Sequence, residues 1–422
     1  MFIHIDCNNF FVSCELVSRP DLQGTPVVVA NNNETGGGII LALNKEAKAI
    51  GLKRGNPLFQ VREIIDKQHV TIIDVHHSLY HQISNHIMEV VHQSEMVLDF
   101  VQYSVDEFFG TMPDDDPERL RTYLQQVKDL IMRETHIPVS CGAGHSYTLA
   151  KTATHFAKRY SGYDGICIMP MEKRQRALEM LAANDVWGLG RRSKPLLEQL
   201  HISTAWQFAQ QSKETIQRLF GVRGVRTWME LNGTPAIVLE GHEKQKSIMH
   251  SRTFAHMFSE RVDLEREISN FVMAAASKLR AQRQLCQALH LFLATNRHRE
   301  DLPQYKNDTT IRLTHPTDDT SLLIRTAIQA LKQIYQKGYL YKQAGVVLEQ
   351  LVNNDSIQMD LFTADDLTKK KRLMAAIDDI NRKFGANQIH FAIQGQRAST
   401  GDGTMERGDD EPAGFMRAHK IK

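Results

Sequence analysis

Hydrophobic positions along the first 170 residues alternate in some segments and recur at helical spacing in others. Residues 1–7 alternate apolar and polar side chains, which predicts a strand that ends near Asp6, and helical spacing follows over 9–17. Further strands are predicted at 26–30, 97–104, 108–112 and 139–144. Further helices are predicted at 43–52, 77–92, 118–134 and 148–159. This βαββαβ-like order indicates one α+β domain with a small subdomain inserted near 18–75.

The pattern changes after residue 170. Residues 172–240 show helical periodicity interrupted by glycine-rich turns. Residues 245–352 predict a second βαββαβ module, with strands at 246–254, 287–295, 309–315 and 343–352 and helices at 263–282 and 320–336. A polar linker at 353–368 and a small αβ segment at 369–395 follow, and residues 396–422 have the composition of a disordered tail.

Composition excludes several classes of protein. Hydrophobic residues make up 42 % of the 422 residues, which is typical of a chain with a sizeable core and several domains. No apolar run reaches the roughly 18 residues of a membrane span, and the N-terminus lacks the features of a signal peptide. The five cysteines are scattered without any CxxC pair, so we expect a cytoplasmic protein without a disulfide scaffold or structural zinc.

Charge is distributed unevenly along the chain. Residues 1–169 hold 14 Lys and Arg against 20 Asp and Glu, whereas 170–240 hold 10 against 7 and 244–352 hold 16 against 10. An acidic first part followed by basic modules suits a cation-binding domain attached to modules that bind a polyanion. Ordinary surface variation explains so small a difference equally well, so charge alone does not decide the function.

Three acidic residues stand at or beside the ends of predicted strands. Asp6 ends the first strand, and Asp106 and Glu107 lie in the hairpin between two apolar strands. Acids at the ends of neighbouring strands meet at one edge of a sheet, and no nearby Lys or Arg is expected to neutralise them. Carboxylates are ligands that Mg²⁺ prefers, so we expect a site for two Mg²⁺ ions that can activate a hydroxyl for phosphoryl transfer. The alternative is a hairpin that uses Asp-Glu only because turns are polar.

A set of motifs in a fixed order resembles the Y-family, or lesion-bypass, DNA polymerases, and most closely their UmuC branch, the catalytic subunit of bacterial DNA polymerase V. The motifs are MFIHIDCNNFFVSCE, PVVVANNN, LNKEAKAIGLKRGNPLF, YSVDEFF, CGAGHSYTLAKTATHFAK and VWGLGRR. The resemblance covers roughly residues 1–395. It implies a translesion polymerase that adds dNTPs to a primer 3′-hydroxyl on a template, without proofreading, in the SOS response to DNA damage.

The resemblance also implies a right-hand architecture of class α+β. Its parts would be a palm at 1–17 and 76–170, fingers at 18–75, a thumb with a helix-hairpin-helix at 171–241, and a little finger at 245–352. A linker with a clamp-binding peptide at 353–368, a small C-terminal segment at 369–395 and the tail at 396–422 would complete the chain.

The resemblance assigns roles around the nucleotide. It implies that Asp6, Asp106 and Glu107 bind two Mg²⁺ ions together with the backbone carbonyl of Cys7, and that Phe11 is the steric gate against ribonucleotides. Ser104 would lie near the primer end, and the residues that contact the dNTP would be Asn44, Lys45, Lys48 and Lys158. The chain departs from the family pattern at Asn9 and Lys45, where relatives commonly carry an aromatic residue. Without the resemblance, the sequence favours a core aromatic at Phe11 and a solvent-exposed helix lysine at Lys158.

Further residues are implied in binding DNA and a partner protein. The DNA-binding residues would be Gly188, Gly190, Arg191 and Arg192 in the thumb and Arg252, Arg297, Arg299 and Arg312 in the little finger. The peptide QMDLF resembles a sliding-clamp motif, with Gln358, Leu361 and Phe362 as its contacts, although it could instead dock on the adjacent C-terminal segment. Partners implied by resemblance alone are a UmuD′-like accessory subunit and RecA, with a cytoplasmic, nucleoid-associated location.

Two other functions remain open from the residues. A nucleotide cyclase also carries a palm with carboxylates, but it would not need the hairpin and basic modules. A catalytically inactive scaffold that binds DNA and the clamp would not need the intact acid trio. Conversion of ATP without DNA would favour the first, and normal DNA synthesis by an Asp106→Ala, Glu107→Ala variant would disprove the polymerase hypothesis.

Overall fold

The computed structural model describes residues 1–31, 38–239, 245–354, 364–385 and 388–394, with side chains throughout except at 364–371. The chain divides into two compact units, one built from Met1–Gly241 and the other from His242–Gly408. The first unit contains the three acids that the sequence singles out. No helix in these described ranges has the length and apolar character needed to cross a membrane.

Strands and helices alternate through most of the chain. The strands are β1 (Phe2–Cys7), β2 (Val27–Ala30), β3 (Ile40–Leu43), β4 (Thr71–Asp74), β5 (Leu98–Gln102), β6 (Glu107–Thr111), β7 (Val139–Gly144), β8 (Ile166–Met169), β9 (Ser247–Phe258), β10 (Gln284–Thr295), β11 (Lys306–Thr317), β12 (Tyr341–Glu349) and β13 (Val352–Asn353). The helices are α1 (Phe10–Ser18), α2 (Lys45–Ala49), α3 (Arg62–Lys67), α4 (His77–Gln93), α5 (Pro117–Thr135), α6 (Tyr147–Arg159), α7 (Met171–Met180), α8 (Lys194–Gln199), α9 (Ala205–Ala209), α10 (Lys213–Leu231), α11 (Arg261–Ala281), α12 (Thr320–Ile334) and α13 (Ala364–Phe384).

The main sheet of the first unit has the strand order β5-β6-β1-β7-β8, so β1 lies at its centre. β1 pairs antiparallel with β6 and with β7. Because successive side chains of a strand point to opposite faces, Ile3 and Ile5 enter the core shared with α1, α4 and α5. His4 and Asp6 lie on the other face, which α6 covers.

Close packing of α6 on β7 depends on Gly142. A Cβ atom at this position would lie 2.3 Å from both Ala150 O and Thr154 N, which is far inside van der Waals contact. Only glycine therefore allows α6 to approach the sheet this closely. This approach determines where the lysines of α6 stand relative to the acids of β1 and β6.

We expect Gly142→Ala to destabilise the first unit by about 3 kcal/mol, because backbone atoms of α6 would have to move away from the sheet. Urea unfolding followed by circular dichroism measures the change. The matched control is Gly162→Ala, where an added Cβ has no heavy atom within 4 Å in the described part of the chain. Equal unfolding midpoints for the two variants would contradict the packing argument.

A small sheet and a group of helices complete the first unit. The small sheet has the order β3-β2-β4, with β2 fully buried, as its unbroken VVVA sequence indicates. Helices α7 to α10 share a separate core with α6 and β8. Helix α10 is interrupted at Gly221, whose φ of 66° and ψ of −166° are not helical, so the segment forms two helices joined by a kink.

The second unit is an antiparallel sheet covered by helices on one face. The strand order is β11-β10-β12-β9, and α11 and α12 pack on one side through a common core. β13 adds a short pairing to β10. Arg280 of α11 holds α13 through two hydrogen bonds to the Asp378 carboxylate, at 2.6 and 2.8 Å.

Most of the predicted elements, and the α+β class, are confirmed. The elements predicted for 1–170 are present with ends that differ by at most three residues. The short strands β3, β4 and β8 were not predicted individually, because four residues carry too little periodicity to distinguish a strand from a loop. The predicted boundary near 369 is wrong: α13 begins at Ala364, inside the predicted linker, and the described part of 369–395 contains no strand.

Candidate active site

The acidic residues meet at one edge of the main sheet. Asp6 lies directly opposite Glu107 in the antiparallel register of β1 and β6. The backbone N–H of Cys7 donates to the carbonyl oxygen of Asp106 at 2.9 Å, which fixes the chain before β6 beside the end of β1. The Ser104 hydroxyl donates to Asp106 Oδ1 at 2.7 Å. Carboxylates that are remote in the sequence therefore lie together, as the strand-end argument predicts.

Two lysines of α6 pair with these carboxylates, which corrects the expectation that no basic residue neutralises them. Lys151 Nζ donates to both carboxylate oxygens of Glu107 at 2.8 Å. Lys158 Nζ donates to the carboxylate of Asp6. Positions 151 and 158 lie on one face of α6 because they are about two helical turns apart. The expectation was wrong because it considered neighbours in the sequence, whereas α6 reaches the acids only through the fold.

The pKa of Asp6 shows how these charges balance. Burial raises the pKa of this carboxyl to about 6, because a charge is less stable away from water. Lys158 opposes the rise, whereas the negative charges of Glu107 and Asp106 add to it. Burial and the neighbouring carboxylates thus outweigh the ammonium partner of Asp6, and a divalent cation would stabilise the charged form.

His4 is a member of this site that sequence reasoning missed. Its side chain is buried, and its Nδ1 lies 2.9 Å from Thr154 Oγ1. Because the Thr154 hydroxyl is also 3.1 Å from two carbonyl oxygens, to which it donates, we assign the imidazole proton to Nδ1. His4 Nε2 then has no hydrogen-bond partner in the described chain and lies 3.8 Å from Glu107 Oε1. The alternation of β1, which places His4 and Asp6 on one face, is the signal that could have found it.

The donor set fits a hard divalent cation. Ligand atoms of His4, Asp6 and Glu107 all lie within 4.8 Å of one another. Burial, together with the ammonium groups of Lys151 and Lys158, lowers the pKa of His4, so the imidazole is neutral at pH 7. Carboxylate oxygens are the ligands that Mg²⁺ prefers, and they dominate this group.

Phe11, the candidate steric gate, is held from behind by Tyr80. The two rings are stacked, with centroids 4.2 Å apart and planes inclined by 15°. The Tyr80 hydroxyl donates to Glu15 Oε1 at 2.6 Å and accepts from the backbone N–H of His76 at 3.1 Å. Phe11 itself is only partly buried against the core, so neither a purely internal ring nor a free surface ring describes it.

Asn44 has a structural role, which corrects its predicted contact with the nucleotide. Its side chain is 6 % exposed and caps α2 by accepting from the N–H of Ala47 at 3.0 Å. The same Oδ1 accepts from the N–H of Val27 at 3.1 Å, and Nδ2 donates to Thr25 O at 2.7 Å. These bonds join α2 to the small sheet, so the side chain is not available to a triphosphate.

The two lysines of α2 differ in their surroundings. Lys48 Nζ donates to Asn9 Oδ1 at 2.7 Å. Burial and the positive charge of Lys158 lower the pKa of Lys48, so these two lysines act on the same region. The Lys45 side chain is 88 % exposed and has its ammonium 3.9 Å from Glu46. Of the two, only Lys48 is brought towards the residues of α6.

The segment predicted as a hairpin, residues 186–193, lies between α7 and α8. Gly188 has a φ of 95°, a left-handed conformation that favours glycine, and a Cβ there would lie 2.5 Å from Thr227 Oγ1. Gly190 is unobstructed within the described chain, and Arg191 and Arg192 are exposed. This segment therefore presents two guanidinium groups to solvent before α8 begins.

The four candidate arginines of the second unit do not share one surface. Arg312 pairs with Ala288 on β10, on the sheet face that α11 and α12 leave open. Arg252 pairs with Ala344, a core residue, so its position belongs to the helix-covered face. Arg299 makes a bidentate ion pair with Asp301 at 2.7 and 2.6 Å, which satisfies its charge locally. The DNA contacts predicted for Arg252, Arg299 and Arg312 remain predictions, at positions that do not share one face of the sheet. Arg297 is exposed.

The clamp-like peptide, with Gln358, Leu361 and Phe362, lies outside the described residues.

Comparisons with known proteins agree with this arrangement. The impB/mucB/samB family matches residues 5–155, and the C-terminal domain of that family matches residues 245–361. A domain of unknown function (DUF4113) matches residues 371–401. The chain is 33 % identical over 402 residues to the protein UmuC of Salmonella typhimurium, with 94 % of each chain covered. The chain belongs to the impB/mucB/samB family.

Two further comparisons relate this impB/mucB/samB protein to polymerases. It is 26 % identical over 410 residues to a DNA polymerase IV 2 of Halalkalibacterium halodurans, with 94 % of this chain and 95 % of that protein covered. A solved Y-family DNA polymerase chimera, Dbh-Dpo4-Dbh, shares its fold with a TM-score of 0.68 at 19 % identity, covering 84 % of this chain and 99 % of that one.

This member of the impB/mucB/samB family is a translesion DNA polymerase, and it has the fold of the Y-family polymerases. The first family match contains Asp6, Asp106, Glu107, Phe11 and Lys151. Lys158 lies just beyond it, in the last turn of α6.

Proposed function

We propose that this polymerase carries out nucleotidyl transfer at Asp6, Asp106 and Glu107, which bind two Mg²⁺ ions with help from the Cys7 carbonyl. The observation that carries the proposal is the register that sets Asp6 opposite Glu107, with Asp106 next to it. When bound, the two ions would activate the primer 3′-hydroxyl and neutralise charge on the leaving pyrophosphate. The Ser104 hydroxyl, which orients Asp106, stands beside the predicted position of the primer end.

The lysines of this site attract and orient the incoming nucleotide. The positive charge of Lys158 reaches Lys48 and lowers its pKa, so two ammonium groups act on one region, as a triphosphate site requires. Lys158 pairs with Asp6, so its ammonium group stands beside the acids, where the triphosphate is expected. Lys45, exposed at the start of α2, contributes a more distant positive charge. Phe11 would face the sugar of the same nucleotide.

Primer extension by the purified full-length chain tests this proposal. We expect synthesis with Mg²⁺, none with EDTA, and recovery when Mg²⁺ is restored, because oxygen ligands and substrate phosphates bind this ion reversibly. ATP incubated without DNA serves as the parallel reaction for a cyclase. Synthesis that persists with EDTA, or cyclic nucleotide formation without DNA, would contradict the proposal.

DNA contacts that carry no sequence information would hold the primer-template. In the first unit, the exposed Arg191 and Arg192 and the backbone around Gly188 and Gly190 suit phosphate binding. In the second unit, Arg312 on the open face of the sheet and the exposed Arg297 are the stronger candidates. These segments would form the thumb (171–241) and little finger (245–352), attached to the palm (1–17 and 76–170) and fingers (18–75).

The peptide 358–362 is proposed to bind a sliding clamp, because its Leu-Phe pair stands in a polar linker. We expect Leu361→Ala with Phe362→Ala to abolish clamp pull-down while primer extension without the clamp stays unchanged. Clamp-assisted extension would fall to the unassisted level, since tethering raises the effective DNA concentration. Undiminished pull-down by the double variant would rule out this peptide as the contact.

The remaining partners are proposed from the family alone. A UmuD′-like accessory subunit and RecA would act with this chain during SOS mutagenesis in the cytoplasm, at the nucleoid.

A further inference from the structure

Lys151 makes a bidentate contact with Glu107, one of the proposed metal ligands. Its ammonium lies 2.8 Å from each oxygen of the Glu107 carboxylate, and the two side chains are only 24 % and 19 % exposed. A bidentate contact restricts rotation of the Glu107 carboxylate and offsets its negative charge. The position of Lys151 therefore has consequences for any cation that uses Glu107.

Two aromatic rings hold this ammonium in place. Lys151 Nζ lies 5.4 Å from the ring centroid of Tyr103 and 5.5 Å from that of Trp187. Both distances are within the range of cation–π attraction. The rings are themselves joined, because Trp187 Nε1 donates to the Tyr103 hydroxyl at 3.2 Å.

The Trp187 ring is fixed by a second contact. It stacks on Phe109 of β6 with centroids 5.3 Å apart and planes inclined by 23°. Trp187 directly precedes Gly188, so the residue that supports Lys151 belongs to the segment 186–193 between α7 and α8. A cavity of about 180 Å³, lined in part by His4, Asp6, Lys151 and Trp187, leaves room for the lysine to move.

We propose that Lys151, held by Tyr103 and Trp187, is a positioning residue that orients Glu107 and lowers the affinity of the acidic site for divalent cations. The inference rests on the proposed function of these acids. The Lys151 ammonium, 2.8 Å from the Glu107 carboxylate, offsets the negative charge with which Glu107 would attract a metal ion. The effect is large because both side chains are mostly removed from water. The segment 186–193 reaches the cation site through Trp187, since displacement of this ring removes one of the two supports of Lys151.

Binding of Mn²⁺ tests the inference by a readout other than synthesis. Full-length protein is titrated with Mn²⁺ and followed by electron paramagnetic resonance, with dideoxy-terminated primer-template and the next dNTP present. Lys151→Met replaces the lysine by an unbranched, uncharged side chain of similar length. We expect this variant to bind Mn²⁺ about tenfold more tightly than the wild type. Trp187→Leu should act in the same direction by about threefold, because it only loosens the ammonium.

Two control variants keep the comparison matched. Lys128→Met removes an ammonium group of α5, which donates to the carbonyl oxygen of Asp164 at 2.7 Å. Trp206→Leu removes a ring that also carries a cation–π contact, 5.3 Å from Arg174 Cζ, but among the helices α7 to α10. Both controls should bind Mn²⁺ like the wild type. Extension assays should then show a lower half-saturating Mg²⁺ concentration and a lower maximal rate for Lys151→Met, with the maximal rate partly restored in Lys151→Arg.

The outcomes separate this inference from the proposed function. Mn²⁺ affinities within about twofold of the wild type for both Lys151→Met and Trp187→Leu would overturn the role of Lys151. If instead the single variant Glu107→Gln binds as much Mn²⁺ as the wild type, Glu107 is not part of the cation site and both proposals fail. Should Lys151→Met not fold, Tyr103→Leu replaces it, and unchanged Mn²⁺ affinity in that variant and in Trp187→Leu is equally contradictory.

Discussion

We expect a polymerase with Asp106→Asn and Glu107→Gln to lose primer extension by at least about a thousandfold, because the two carboxylates that we propose bind the catalytic ions become neutral amides of the same shape. Single-turnover extension of a labelled primer measures the loss. Asp6→Asn alone should have an effect of similar size, since Asp6 lies opposite Glu107 and completes the group.

Binding of the primer-template distinguishes a catalytic defect from misfolding. The acids carry negative charge, so their removal should leave DNA affinity equal or slightly higher. Asp129→Asn, an exposed acid on α5, is the control and should extend primers normally. Normal synthesis by the double variant would show that these carboxylates do not bind the catalytic ions.

The second large effect concerns the sugar of the nucleotide. We expect Phe11→Ala to increase the efficiency of ribonucleotide incorporation about a hundredfold relative to deoxynucleotides, because the ring no longer occupies the space of a 2′-hydroxyl. Phe11 cannot simply retreat in the wild type, since it stacks on Tyr80 at 4.2 Å and Tyr80 is anchored to Glu15. Single-nucleotide insertion of dCTP and CTP opposite guanine gives the ratio.

An exposed phenylalanine elsewhere provides the control for this change. Phe384, at the end of α13, is 70 % exposed, and Phe384→Ala should leave sugar selectivity unchanged. An unaltered ratio of ribonucleotide to deoxynucleotide insertion in Phe11→Ala would end the assignment of the gate, even if overall activity falls.

The sequence predicts the meeting of the acids because strand ends and alternation are local properties. Asp6 and Glu107 could be placed at strand ends from a few residues on either side, and the register then brings them together. Their partners on α6 could not be predicted in the same way. Lys151 and Lys158 reach the acids only because Gly142 lets the helix lie close to β7, which is a tertiary contact without a local signature.

The features that the sequence did not show have the same physical origin. Asn44 lies within a family motif. Its burial and its three hydrogen bonds nevertheless depend on the packing of α2 against the small sheet. Arg252 and Arg312 look equivalent as strand arginines, but their faces depend on pairing partners that lie far along the chain. Helix α13 was predicted too late because polar residues in its first turns look like a linker in the sequence.

Lys151 and Lys158 have a consequence for how the protein reaches its working state. Three carboxylates crowded at a sheet edge would push one another apart, but two of them already have ammonium partners supplied by the same helix. We therefore expect the main sheet and α6 to assemble without a divalent ion, because the two ammonium groups offset part of the repulsion among the carboxylates. Metal and DNA would then bind reversibly to a site that has already folded.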